Sequence, residues 1–269
     1  MTSADDALAD FERTEFSAEG KSRDVYRVGS GPGVIVISEM PGITPGVADF
    51  GRRVAREGFT AVLPHLFGEP ERAVSPGYVM RSISWGCISR EFSTMALRRT
   101  SPVTTWLRAL ARSVHSKLGG PGVGVVGMCF TGGFALAMMV DDTVMAPVLS
   151  QPSLPFALTR AHRSDLGISD DDLARVKERA PEVCLLALRF TGDRLVPGER
   201  FQRLRDELGD GVVTVEIDSS PGNPWGIKRS AHSVLTEELV ADDPDHPTRH
   251  ALDQVLDLFR TRLRAASGN

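Results

Sequence analysis

The chain has 269 residues and a formal net charge of −4, with 41% hydrophobic and 25% charged residues. This composition is typical of a soluble globular protein with a substantial core, and the weak acidic charge argues against a nucleic-acid partner. No apolar run approaches the ~18 residues that span a bilayer, the N-terminus has no signal-peptide pattern, and the three cysteines are widely spaced. We therefore expect a reduced, cytoplasmic protein with no membrane partner.

Two apolar patterns alternate along the chain. Short runs rich in β-branched residues, such as GVIVIS at 33–38, are typical of strands covered on both faces. Longer segments with apolar residues three or four positions apart, such as SPVTTWLRALARSVHSKLGG at 101–120, predict helices. In chain order, the predicted elements are a hairpin around Gly20 and Gly29, strand 33–38, helix 46–58, strand 59–64, a helix capped by Ser101, strand 122–127, helix 130–140, strand 144–149, a helix opened by Asp170–Asp172, strand 183–190, helix 198–208, strand 212–218 and helix 249–265.

This alternation predicts a single α/β domain over residues 1–269, with a mostly parallel central sheet and helices on both faces. Residues 1–12 are polar and are expected to form a loosely ordered tail. Segments 68–100 and 150–170 show no clean period, so we expect them to be excursions over the active-site side of the sheet.

The stretch GVGVVGMCFTGGFALAM at 122–138 places Cys129 between a predicted strand and a predicted helix. In an open α/β sheet, ligands bind at the carboxyl ends of strands, and a nucleophile elbow holds its reactive atom there on a strained turn. Gly127, two residues earlier, lets neighbouring backbones approach. The elbow usually has glycine two residues after the nucleophile, and Thr131 occupies that position here, so we expect a slightly redrawn turn. A buried structural thiol is the alternative interpretation of Cys129.

A cysteine nucleophile needs a base, and the base needs an orienting acid. Asp193 lies in a predicted turn just after strand 183–190, and His232 lies between the last strand and the last helix. The order nucleophile, acid, histidine is that of α/β-hydrolases. Asp218, at another strand end, is the second candidate for the acid, and either aspartate could instead be an ordinary turn residue.

With these motifs in place, the chain resembles the dienelactone hydrolase family of α/β-hydrolases over about residues 20–265. The similarity is carried by VIVISEMPGITPGVADFGRRVAREGFTAVLPHLFG, GVVGMCFTGGFAL, FTGDRLVP and AHSVL. The resemblance implies the α/β-hydrolase fold, with Cys129 as nucleophile, His232 as base and Asp193 as orienting acid.

The resemblance also implies roles for residues around the nucleophile. Glu39 would lie beside Cys129 and control its ionisation, and the backbone N–H groups of Phe130 and Met40 would form the oxyanion hole. Thr236 occupies a position where family members that open dienelactones carry an arginine for the substrate carboxylate. The resemblance therefore supports the fold and the triad of this chain more strongly than it supports a particular substrate.

The sequence thus predicts a hydrolase of carboxylic esters or lactones that forms a thioester acyl-enzyme. It would act on a small-molecule substrate without metal or cofactor, as a monomer or homodimer. Arg81, Trp85, Phe156 and Trp225 are candidates for substrate contacts. Two alternatives remain open: a protein that uses Cys129 as a redox or binding thiol, and a catalytically silent scaffold that serves a partner.

Overall fold

The structure, a computed structural model, describes residues 7–73, 75, 77–78 and 101–264. Its centre is an eight-stranded sheet in the order β1-β2-β4-β3-β5-β6-β7-β8. The strands are β1 Glu12–Ala18, β2 Lys21–Gly29, β3 Gly33–Ile37, β4 Thr60–Pro64, β5 Val123–Met128, β6 Val144–Ser150, β7 Leu185–Phe190 and β8 Val212–Ile217. The first hairpin and the β2–β4 pair are antiparallel, and all later pairs are parallel, so the carboxyl ends of β3 to β8 share one edge.

Helices cover both faces of this sheet. They are α1 Pro45–Arg56, α2 Pro102–Leu118, α3 Gly132–Met138, α4 Arg160–Arg163, α5 Asp170–Val183, α6 Gly198–Leu208 and α7 Pro247–Leu263. Successive side chains of each strand point to opposite faces, which divides the core into two clusters. One cluster packs against α2, α3, α5 and α6, and the other packs against α1 and α7. None of the helices in the described residues is long and apolar enough to cross a membrane.

The N-terminal segment corrects one prediction. Residues 7–11 were expected to belong to a loosely ordered tail, but Leu8 and Phe11 are buried against α1. Arg52 on α1 binds the Asp10 carboxylate through two nitrogens and lies over the Phe11 ring. A salt bridge and two buried apolar side chains therefore order this segment.

Two element boundaries also differ from the predicted ones. The strand expected from residue 183 begins at Leu185, because α5 runs through Val183 and Cys184 has a left-handed φ of 58°. Cys184 therefore lies in a turn and not inside the strand. The helix expected over 130–140 is a 3-10 turn, Cys129–Thr131, followed by the short helix α3.

The turn after β5 depends on very close backbone packing. A Cβ atom on Gly127 would lie 2.5 Å from the Thr131 carbonyl oxygen, and one on Gly132 would lie 2.6 Å from the Cα of Pro152. Cys129 between them has a left-handed φ of 54°, which costs free energy in a residue other than glycine. The glycines on both sides allow the surrounding chain to hold that conformation.

Thr131 fits this turn because its backbone needs no positive φ. Its φ is −94°, and its hydroxyl accepts a hydrogen bond from Met128 N–H at 3.0 Å. The same hydroxyl lies 2.9 Å from the carbonyl oxygen of Ile37, to which it donates. Threonine therefore ties the end of β5 to the end of β3, and the redrawn turn gains an interaction that glycine lacks.

The close approach at Gly127 yields a stability prediction. The substitution Gly127→Ala should destabilise the fold by about 1–3 kcal/mol, because the clash involves backbone atoms that cannot move aside cheaply. Gly77→Ala is the control, since a Cβ there meets nothing within 4 Å. Urea denaturation of both variants measures the difference. Equal midpoints for the two variants would show that the turn is not tightly packed.

Candidate active site

The residues with candidate chemistry converge at the carboxyl edge of the sheet. Cys129 directly follows β5, Glu39 follows β3, and Asp193 follows β7. His232 comes from the long loop between β8 and α7. The positions at strand ends, predicted from the sequence, thus bring four distant segments to one place.

Asp193 and His232 are paired through a short hydrogen bond. The Nδ1–H group of His232 donates to Asp193 Oδ2 at 2.6 Å. The other carboxylate oxygen of Asp193 accepts from Leu195 N–H at 2.9 Å, and the side chain is buried. Asp218 is exposed and accepts from Ser220 N–H instead. The structure therefore joins His232 to the first candidate acid and leaves the second as a turn residue.

The other ring nitrogen of His232 faces a different environment. Its Nε2 atom is buried, and no residue in the described part of the chain hydrogen-bonds to it. Burial alone would lower the pKa of His232, but the negative charge that Cys129 carries when ionised and the bond to Asp193 outweigh burial and raise the pKa well above the ordinary value. His232 is therefore oriented by Asp193, and its environment favours the protonated ring.

A cavity of about 200 Å³ opens onto these groups. Its apolar walls are Met40, Phe130, Phe156 and Leu195. Its polar lining is Glu39, Cys129, Ser153, His232, Ser233 and Glu237. The Phe130 and Phe156 rings meet edge to face with centroids 6.1 Å apart. The cavity therefore offers room for a small, mostly apolar group directly against the sulfur.

Glu39 lines the cavity, but its carboxylate is engaged by neutral donors of other loops. Its Oε2 atom accepts from Ser233 Oγ at 2.6 Å and from Gln151 Nε2 at 3.1 Å. Its Oε1 atom accepts from the Thr236 hydroxyl. Thr236, at the position of the family arginine, thus binds Glu39. These bonds tie the end of β3 to the loop that carries His232.

Glu237 adds a second carboxylate to the cavity wall. It follows Thr236 in the chain and is an exposed residue at the rim of the cavity. Burial and then the neighbouring charge of Glu39 raise the pKa of its carboxyl group. Two carboxyl groups, those of Glu39 and Glu237, therefore line the cavity.

The candidates for substrate contacts fall into three groups. Phe156 lines the cavity, and its contact with a substrate stays a prediction. Trp225 is not part of the lining formed by the described residues: its ring packs edge to face on His246, which caps the start of α7, and its contact with a substrate stays a prediction. Arg81 and Trp85 lie outside the described residues.

Sequence reasoning missed four polar residues of this site, Gln151, Ser153, Ser233 and Glu237. Ser233 is adjacent to His232, and Gln151 and Ser153 follow β6 at the carboxyl edge of the sheet. Their positions in the chain could therefore have indicated that they belong to the site. In the described part of the chain, no three His, Cys, Asp or Glu side chains cluster in a way that could hold a metal ion.

Comparison with known proteins gives consistent results. The sequence profile described as "Dienelactone hydrolase family" matches residues 23–263. A curated relative from Saccharomyces cerevisiae, named "Putative carboxymethylenebutenolidase", is 24% identical over 242 residues, which are 88% of this chain and 82% of the relative.

Similar solved structures include "Putative Dienelactone Hydrolase" from Klebsiella pneumoniae subsp. pneumoniae MGH 78578, with a TM-score of 0.63 and 17% identity over 93% of this chain and 98% of that one. A dienelactone hydrolase-like promiscuous phosphotriesterase from metagenomic libraries has a TM-score of 0.60 and 16% identity over 94% and 98% of the two chains. At these identities the likeness shows the fold alone, and it confirms the predicted α/β-hydrolase architecture.

The raised pKa of His232 is directly measurable. Replacing Cys129 with alanine removes the negative charge that raises it, so we expect the pKa of His232 to fall in Cys129→Ala and, through loss of the carboxylate, in Asp193→Asn. Titration of the histidine ring resonances by NMR reports this change, and the other histidines serve as internal controls. An unchanged titration in both variants would contradict the described pairing.

The raised pKa of His232 also determines how the free energy of unfolding changes with pH. A raised pKa means that the folded protein holds this proton more tightly than the unfolded chain. The contribution to stability is therefore present below the ordinary histidine pKa, and it is lost as pH rises through the raised value.

Proposed function

The chain belongs to the dienelactone hydrolase family, and on that premise we propose that it hydrolyses a carboxylic ester or lactone through a Cys129–His232–Asp193 triad. The observation that carries the proposal is the 2.6 Å Asp193–His232 hydrogen bond, with the buried Nε2 atom, which has no hydrogen-bond partner among the described residues, in the same cavity lining as Cys129. These features support the roles of nucleophile, base and orienting acid that acyl transfer requires.

In the first half-reaction the Cys129 thiolate attacks the carbonyl carbon of the substrate. The carbonyl electrons move to oxygen, and the oxyanion accepts hydrogen bonds from the backbone N–H groups of Phe130 and Met40, the residues that flank the sulfur along the cavity wall. When the tetrahedral intermediate collapses, the bond to the alkoxide breaks and the His232 imidazolium protonates the leaving oxygen. A thioester on Cys129 remains.

In the second half-reaction neutral His232 takes a proton from water, and the resulting hydroxide attacks the thioester. The carbon–sulfur bond breaks, the acid is released, and the thiolate–imidazolium pair is restored. General-base assistance of this kind contributes typically 10²–10⁴-fold. With an amide substrate, the tetrahedral intermediate would expel the thiolate more easily than the amine and return to the starting amide. Esters and lactones therefore suit this nucleophile better than amides do.

Glu39 is proposed to act on the position of the base. Its carboxylate binds Ser233 and Thr236, which lie on either side of the loop segment that follows His232. The proposed role therefore differs from the one implied by resemblance, in which Glu39 controls the ionisation of Cys129 directly.

Loss of the nucleophile tests the proposal. Cys129→Ala should reduce hydrolysis of p-nitrophenyl acetate by at least about 10³-fold, because the residual rate comes only from binding and the oxyanion hole. Cys184→Ala is the matched control, since Cys184 is also a free thiol but lies in the turn before β7. Activity retained in the first variant, or lost equally in both, would remove Cys129 from the mechanism.

The charge of the cavity wall predicts the class of ester. Glu39 and Glu237 should disfavour a substrate that carries a free carboxylate. We expect kcat/KM for the methyl ester of meta-carboxyphenyl acetate to exceed that for meta-carboxyphenyl acetate itself by about tenfold at low salt, and Glu237→Gln should narrow the gap. Steady-state kinetics with the two esters measures this ratio of kcat/KM values in both proteins. A preference for the anionic ester would contradict the prediction.

A further inference from the structure

A serine that lies outside the triad contacts the nucleophile. Ser153 is 2% exposed, and its Oγ atom lies 3.4 Å from Cys129 Sγ. Within the part of the chain that the structure describes, no other side chain or backbone group hydrogen-bonds to this hydroxyl. A buried hydroxyl directed at a sulfur in this way stabilises the charged form of the sulfur, because a thiolate can only accept the hydrogen bond.

The backbone of Ser153 is also fixed to the nucleophile turn. Its N–H group donates to the carbonyl oxygen of Cys129 at 2.9 Å. The carbonyl of the same peptide unit, that of Pro152, accepts from the Arg200 guanidinium at 2.7 Å. The peptide unit between Pro152 and Ser153 therefore has both its N–H group and its carbonyl group hydrogen-bonded. These two bonds fix the position of Ser153 relative to the Cys129 turn.

Arg200 is a buried cation that binds only backbone carbonyls. It lies on α6, is 1% exposed, and makes no ion pair within the described ranges. Its guanidinium donates to the carbonyl oxygens of Pro152, Pro155, His162 and Asp165. Burial lowers the pKa of Arg200 to about 10, so the group is still charged at neutral pH. All four carbonyls belong to the segment that supplies Ser153 and Phe156 to the cavity.

We propose that Ser153 is a further catalytic residue, whose hydroxyl donates a hydrogen bond to the Cys129 thiolate, and that Arg200 is the positioning residue that holds it there. The planar guanidinium fork can reach carbonyls in several directions at once, which a lysine ammonium on one flexible stem cannot do. The inference rests on the proposed function only in naming ester hydrolysis as the reaction that uses the thiolate.

Alkylation of Cys129 by iodoacetamide tests this proposal without any ester. The measurement uses the full chain with Cys87 and Cys184 replaced by alanine, so that Cys129 is the single thiol. In Ser153→Ala the midpoint of the alkylation pH profile should rise by about one unit, since a hydrogen bond to a charged group is lost. Ser153→Thr, which keeps the hydroxyl, should restore the profile.

Ser101→Ala is the control for loss of a buried hydroxyl, because Ser101 caps α2 away from the sulfur. It should lower the melting temperature and leave the alkylation profile in place. An unchanged profile in Ser153→Ala, or an equal shift in Ser101→Ala, overturns the role of Ser153.

The role of Arg200 has its own matched control. Arg179 is also buried and donates to backbone carbonyls, of Met139, Asp141, Asp142 and Val144, but that segment contributes nothing to the cavity. Arg200→Lys should shift the alkylation profile in the direction of Ser153→Ala and lower kcat more than it changes KM. Arg179→Lys should affect stability alone. Equal profiles for the two lysine variants overturn the positioning role.

The role of Ser153 and the proposed ester hydrolysis can be disproved independently of each other. If Ser153→Ala shifts the alkylation profile while the unsubstituted protein hydrolyses no ester, the contact with the thiolate stands and the proposed reaction is wrong. If esters are hydrolysed through Cys129 and the profile does not move in Ser153→Ala, the reaction stands and this inference is wrong.

Discussion

The left-handed backbone at Cys129 is the constraint on which the rest of the site depends. A cysteine adopts φ = 54° only when neighbouring contacts hold it there. The close packing at Gly127 and Gly132 and the hydroxyl bridge of Thr131 provide those contacts. The result is a sulfur at the carboxyl edge of the sheet, where loops from other strands can reach it.

Each of those loops is tied down by buried polar contacts. Asp193 fixes His232, Glu39 fixes the segment after His232 through Ser233 and Thr236, and Arg200 fixes the segment after β6. Buried charges are costly unless their hydrogen bonds are satisfied, and here each satisfied bond also orients a wall of the cavity. The polar interactions that organise these loops therefore also set the geometry of the candidate chemistry.

The sequence alone was sufficient for the fold class and for the positions of Cys129, Asp193 and His232. Their residue types are distinctive, Cys129 and Asp193 each follow a β-rich run whose end can be placed to within two or three residues, and His232 lies between the last strand and the last helix. Ser153 and Arg200 could not be found in this way. Ser153 is one of many serines in loops, and Arg200 reads as an ordinary polar position on an amphipathic helix, although it is buried.

The prediction of a loose tail failed for a similar physical reason. The contacts of Leu8 and Phe11 with α1 are long-range and leave no periodic signal over so few residues. The bond between Thr236 and Glu39 could not be found from the sequence either, because only the folded loop brings the two residues together.

The central claim is that Cys129 becomes covalently acylated and that His232 releases the acyl group. Peptide mapping by mass spectrometry, on protein quenched in acid during turnover of an activated ester, tests it most directly, since protonated His232 cannot activate water. The account predicts an acyl group on the peptide that carries Cys129 and on no other. An acyl group on a different residue, or none during active turnover, would contradict it.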